Sequence, residues 1–118
     1  MANPNLATAG SIYGGTGVLA AGTSSVAIVS NSTASGKILK VNSLLLANTT
    51  TGNVDVTVDL FRSGTAYKIA NAVSVPSNAT LAVLSKDSPV YLVEGDSLRV
   101  VASATASLSA VCSYEELS

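Results

Sequence analysis

The sequence has few of the side chains on which protein chemistry usually depends. Among its 118 residues there is no histidine and no tryptophan, and only 11% are charged. Without histidine, neither a His-assisted nucleophile nor a His-rich metal site is possible. We therefore expect a protein that is not an enzyme and that holds no cofactor and no metal.

Cysteine and concentrated positive charge are also scarce. Cys112 is the single cysteine, which excludes an internal disulfide and a thiolate metal cage, and its register predicts a small buried hydrophobe. The six basic residues are dispersed and the net charge is −1, so nucleic acid is not an expected partner. The start of the chain lacks a secretion signal and no apolar run approaches the length of a membrane span, so we expect an unexported chain without a membrane partner.

What the sequence does contain is apolar alternation. From Asn53 to Arg62, valine and leucine alternate with polar or bulkier residues, which is typical of a half-buried β-strand. Similar short segments recur about every ten residues, separated by polar turns, and no helical period is present. The predicted strands are Ser24–Ser30, Lys37–Asn48, Asn53–Arg62, Ala66–Ala70, Val73–Pro76, Ala79–Leu84, Val90–Val93, Ser97–Ala102 and Leu108–Tyr114.

This pattern predicts an all-β protein, a single antiparallel β-sandwich (jelly-roll-like) of about eight short strands. We expect the sandwich domain over residues 23–118 and an extended N-terminal arm over residues 1–22. The turn Thr49–Gly52 predicts a hairpin between the two longest strands, and Ser63–Thr65 predicts a second hairpin. Gly95 is expected to have positive φ in a turn.

Two segments are candidate contacts with other protein. The arm carries well-spaced apolar residues that are expected to order against a neighbouring subunit, and the alternative is a loose terminus or an irregular first edge strand. Its Gly14–Gly17 cluster is interpreted as a flexible hinge in preference to a phosphate-binding loop. The run Leu44–Leu46 predicts a strand covered on both faces, by the core and by a subunit or a barrel-like closure. The predicted partner-binding residues are Ile12, Tyr13, Val18, Leu19, Leu44 and Leu46.

Other candidate sites have simpler explanations. Asp55 and Asp59 share the outward register of one strand, where solvated charge is expected rather than paired catalytic carboxylates. The Glu94–Asp96 segment is interpreted as a turn in preference to a calcium loop. The glycosylation-like triplets at Asn31, Asn48 and Asn78 are interpreted as turn residues. The four tyrosines, Tyr13, Tyr67, Tyr91 and Tyr114, are of a type that stacks on sugars or bases, but they are scattered and none is flanked by a second ring, which argues against a glycan-binding face.

Several stretches resemble small β-rich virion structural proteins of tailed bacteriophages, particularly the contractile-tailed phages of marine cyanobacteria. The resemblance covers about residues 12 to 116. The stretches are Gly36–Asn48, Val54–Phe61, Val73–Pro76, Tyr91–Val100 and Val111–Glu116.

The resemblance implies a non-enzymatic virion component, made in the host cytoplasm, and it carries over no site residue. A capsid decoration (cement) protein is our first expectation, because an apolar-rich sandwich with an arm suits a clamp over neighbouring capsid subunits. The alternatives are a neck, tail or fibre component, or a host-glycan-binding module. We expect partners among other virion proteins, capsid protein first, and a homo-oligomer, with a trimer favoured.

Overall fold

The protein is built from two antiparallel β-sheets. A computed structural model describes residues 5–104 and 108–118. In this part of the chain there is one 3₁₀ turn, Leu6–Thr8, and nine strands. The strands are β1 Ile12–Ala21, β2 Val26–Ser30, β3 Ile38–Asn48, β4 Val54–Arg62, β5 Thr65–Val75, β6 Thr80–Leu84, β7 Val90–Leu92, β8 Ser97–Ala102 and β9 Leu108–Leu117.

The two sheets pack face to face as a sandwich. Sheet A has the order β1-β9-β3-β6, with β7 pairing with β3 beside β6, and sheet B has the order β2-β8-β4-β5. All pairings are antiparallel. The predicted all-β antiparallel sandwich is therefore confirmed.

The core lies between the sheets and follows the predicted alternation. Along β4, Val54, Val56 and Val58 are buried, and along β8 the buried side chains are Leu98, Val100 and Ala102. Because successive side chains in a strand point to opposite faces, each sheet gives one apolar face to this core. Leucine, valine and alanine supply nearly all of it, so the interior is made without large rings.

The structure confirms one predicted hairpin and contradicts the other. Ser63 and Gly64 both have positive φ, as a type I′ turn requires, and Arg62 pairs with Thr65 at the base of the β4–β5 hairpin. The hairpin predicted around Thr49–Gly52 is wrong, since β3 lies in sheet A and β4 lies in sheet B. The predicted strand Val73–Pro76 is largely the end of β5, the edge strand of sheet B.

Buried asparagines close both ends of the sandwich where the chain crosses between sheets. At one end, Asn48 donates to the carbonyls of Gly52 and Val75, each at 2.8 Å, and accepts from Thr50 N–H. At the other end, Asn31 donates to the carbonyls of Lys37 and Leu92, each at 2.9 Å. These amides satisfy loop backbone groups that would otherwise be buried without partners. Their burial also makes them inaccessible to glycosylation in the folded state.

The second half of the predicted arm belongs to the sandwich. Residues 12–21 form β1, which pairs with β9 over ten consecutive residue pairs without a register shift. Ser11 and Ser118 extend this pairing through two backbone hydrogen bonds of 3.1 and 3.0 Å. This matches the alternative of a first edge strand, and residues 1–4 of the arm lie outside the described residues.

The glycines of β1 permit close approach and do not form a hinge. A Cβ at Gly17 would lie 2.9 Å from the carbonyl oxygen of Ile28 in β2, and a Cβ at Gly15 would lie 2.7 Å from the Tyr114 ring. Gly14, on the other face, has open space around it. The alternate glycines therefore let β1 pack against Tyr114 and against the second sheet.

We expect Gly17→Ala to destabilise the fold by about 1–3 kcal/mol, since the new methyl group meets backbone that cannot rotate away. The measurement is the free energy of unfolding from urea titration. Gly14→Ala is the matched control in the same strand and should change stability by less than about 0.5 kcal/mol. Equal effects of the two substitutions would contradict the close-packing explanation.

Candidate functional site

The predicted partner-binding residues divide between the surface and the core. On β1, Ile12, Tyr13 and Val18 are 60%, 65% and 74% exposed. Leu19 is half-buried and packs against the core from the same strand. Three of the four candidates from the predicted arm are thus available to another chain.

Leu44 and Leu46 are core residues, which corrects the prediction that they contact a partner. Both are fully buried between the sheets, whereas Leu45 between them is 40% exposed on the opposite face. The register of β3 on β9 shifts between Val41 and Ser43, and this irregularity fixes which face the leucines take. The sequence run showed that both faces carry leucine, and the structure shows that Leu45 is the outward one.

Leu45 belongs to an apolar row that crosses sheet A on its outer face. Val18 of β1 pairs with Val111 of β9, Val111 pairs with Leu45 of β3, and Leu45 pairs with Ala82 of β6. All four residues are exposed. Directly opposite residues on neighbouring strands lie about 5 Å apart, so these side chains form one continuous apolar surface.

The rows on either side of the apolar row contain only small uncharged residues. One row is Ala20, Ser109, Ala47 and Thr80, and the other is Thr16, Ser113 and Ser43. Charge returns only in the next row, where Glu115 pairs with Lys40. We call these eleven residues the uncharged face: Thr16, Val18, Ala20, Ser43, Leu45, Ala47, Thr80, Ala82, Ser109, Val111 and Ser113.

The chemistry of the uncharged face suits contact with protein. It offers hydroxyls, methyl groups and no titratable group, so it cannot supply acid–base or nucleophilic catalysis of the ordinary kinds. Removing its apolar atoms from water would contribute about 25 cal/mol for each Å² buried. A flat face of short side chains also leaves few rotamers to order on association.

The predicted turn at Glu94–Asp96 is held by an ion pair between the buried Asp96 carboxylate and the partly exposed Arg62 side chain. Asp96 accepts two hydrogen bonds from Arg62, at 2.9 and 2.6 Å, and one from the backbone N–H of Val93 at 2.9 Å. Its carboxylate is almost completely buried, and the hydrogen bonds raise the pKa of Arg62 above its ordinary value. Gly95 has the positive φ expected of it, so the turn role is confirmed.

Asp59 differs from its prediction as a solvated carboxylate. It lies on the outer face of sheet B, is only 2% exposed, and accepts hydrogen bonds of 2.9 and 3.2 Å from Arg99. The Arg99 guanidinium also lies 4.0 Å from the centroid of the Phe61 ring. The pair is directly opposed across β4 and β8, which makes Asp59 a structural partner rather than an acid or base.

The remaining candidates are dispersed over the molecule. Within residues 5–104 and 108–118, no group of three acidic or cysteine side chains could hold a metal ion. The exposed tyrosines do not form one platform, because Tyr67 lies on β5 of sheet B while Tyr13 and Tyr91 lie at opposite edges of sheet A. Tyr114 packs its ring over Gly15.

Cys112 is fully buried in the core, as predicted. Burial disfavours the thiolate and raises the pKa of Cys112 from 9.0 to about 11. Since the thiolate is the reactive form, this side chain is chemically inert in the folded protein.

We expect the Cys112 thiol to make stability fall with pH in the alkaline range. The Cys112 thiol stays protonated to a higher pH in the folded state than in the unfolded chain. Its contribution to the free energy of unfolding is therefore complete below pH 9 and is lost as the pH rises toward 11. The loss is at most about 3 kcal/mol. Urea unfolding should show a steeper alkaline decline in the free energy of unfolding for the unmodified protein than for Cys112→Ala. Parallel pH profiles would contradict this prediction.

We expect Arg62→Ala to destabilise the protein by about 2–3 kcal/mol, because it leaves the buried Asp96 carboxylate without its charged partner. Lys37→Ala is the control, since it removes an ion pair of 3.4 Å to Glu116 in which both side chains are substantially exposed. That change should cost less than about 1 kcal/mol. Thermal and urea unfolding would measure both, and a larger effect of Lys37→Ala would count against this assignment.

Comparison with known proteins identifies no family for this chain. No known family model matches the sequence, and a search of curated proteins finds no match. Over the described ranges, no helix has the length and apolar character needed to cross a membrane.

Proposed function

We propose that this protein is a non-enzymatic structural component of a phage virion, and that it acts as a capsid decoration protein. In this proposal the uncharged face of sheet A docks on neighbouring capsid subunits. The observation that carries it is the apolar row Val18, Val111, Leu45 and Ala82, exposed across four strands on a face without charge. The phage assignment itself comes from the sequence resemblance.

An apolar face is unfavourable while it is exposed to water. Contiguous exposed apolar surface is uncommon on monomeric proteins and often marks a site of interaction. The two buried carboxylates, Asp96 and Asp59, are each paired with an arginine of the same chain, and neither belongs to the uncharged face. A decoration protein stabilises a shell by adding buried contact between subunits, which this face can provide without any reactive group.

A neck, tail or fibre component would use the same face and is the nearest alternative. Immunogold labelling of intact virions distinguishes these positions, because capsid decoration predicts label over the head. A glycan-binding module is less well supported, since Tyr67 and Tyr91 lie on different sheets and cannot stack on one sugar ring together.

The test is co-sedimentation of the purified protein with phage capsids that lack it. We expect saturable binding, and we expect Leu45→Lys to weaken it by tenfold or more, because a lysine would place a charge at the centre of the buried contact.

Val73→Lys is the matched control, since Val73 is similarly exposed but lies on β5 of sheet B. It should bind as the unmodified protein does. Circular dichroism and thermal unfolding would verify that both variants fold. Absence of binding, or equal loss in the two variants, would overturn the proposed function.

A further inference from the structure

The outer edge of β1 is a long strand edge without a partner strand among the described residues. β1 ends the strand order of sheet A, so the backbone groups directed away from β9 are unpaired within residues 5–104 and 108–118. The strand has ten residues, IYGGTGVLAA, with no charge and no proline, and its pairing with β9 contains no bulge. Such an edge is a template for another strand.

The other edges of the two sheets carry features that oppose pairing. β5 has Lys68, two register shifts against β4, and Ala72 in a positive-φ conformation. β2 has five residues and a register shift against β8. Opposite β1, sheet A ends in two short strands, β6 and β7, of five and three residues. Short, bulged or charged edges are the usual protections against association, and β1 has none of them.

We propose that β1 pairs antiparallel with β1 of a second copy of this chain, about a two-fold axis perpendicular to sheet A. The free edge can accept an extended strand of similar length without charge, and among the described strands β1 itself has those properties. Two-fold symmetry makes the contact self-complementary. A ten-residue antiparallel pair gives about ten hydrogen bonds, which is the number in a typical specific interface.

This pairing explains why Val18 is the most exposed of the large apolar side chains described. Val18 ends the apolar row at the free edge, and a neighbouring strand would supply the missing contact. Because the axis is perpendicular to the sheet, the uncharged faces of both copies point to the same side. We therefore infer a dimer in place of the trimer expected from the sequence, and this dimer presents two uncharged faces side by side. If the proposed function holds, the two faces bind the capsid together with higher avidity than one, and this consequence rests on the proposed function.

The first test is the mass of the full-length protein by analytical ultracentrifugation over a concentration series. We expect a dimer, and we expect Thr16→Lys, an exposed position on β1, to raise its dissociation constant by tenfold or more, because two like charges would meet near the axis. Ala82→Lys is the matched control at the other end of sheet A and should leave the dimer intact.

The second test is a distance measurement between nitroxide labels on single introduced cysteines, since buried Cys112 does not react. Labels at Ala82→Cys should lie roughly 34 Å apart between backbones, which is seven strand spacings of about 4.8 Å. Labels at Thr16→Cys should be much closer and should broaden the spectrum. These positions keep the inference testable even if Thr16→Lys proves unstable.

A monomer, a trimer, or a dimer unaffected by Thr16→Lys would overturn this inference. Capsid binding by a monomer that remains sensitive to Leu45→Lys would leave the proposed function intact. A dimer that binds no capsid would support the edge pairing and would remove the proposed function, so the two results are separable.

Discussion

The register between β3 and β9 is the constraint on which the rest of the structure depends. β3 is the central strand of sheet A, and it also pairs with β6 and β7. Because side chains alternate along a strand, a displacement by one residue would exchange buried Leu44 and Leu46 with exposed Leu45. The register shift between Val41 and Ser43 determines which side chains of β3 point inward. It therefore decides which of them join the core and which join the uncharged face.

Three of the four buried polar or charged residues in the described part of the chain lie at the crossings between the two sheets, and the fourth, Asp59, pairs with Arg99 on the outer face of sheet B. Asn31, Asn48 and Asp96 each lie where the chain passes from one sheet to the other, and each bonds to loop backbone. Packing alone would not satisfy those backbone groups, since the loops have no ladder partner. These three residues lie at the ends of the sandwich, and none of them belongs to the uncharged face.

The proposed function uses the outer face of sheet A, and the proposed pairing uses one edge of the same sheet. The uncharged face would contact another protein through side chains, and the β1 edge would contact a second copy through backbone. The uncharged face carries short side chains, and the β1 edge carries no charged residue.

The sequence by itself determined strands β2 to β9 and most of their buried faces, because alternation with a period of two is a local property, as in Val54–Leu60. It indicated an arm where β1 lies. It also indicated the Ser63–Gly64 turn, positive φ at Gly95 and the burial of Cys112. Only the tertiary structure decided that β3 and β4 belong to different sheets, that Gly15 and Gly17 admit close neighbours, and that Asp59 is buried beside Arg99. Each of these depends on residues far apart in the chain. The limit of sequence reading is clearest in the run Leu44–Leu46. The sequence predicted that these leucines alternate between the two faces of the strand. Which of them are buried was decided by pairing with a strand about 65 positions away, since strand pairing is non-local.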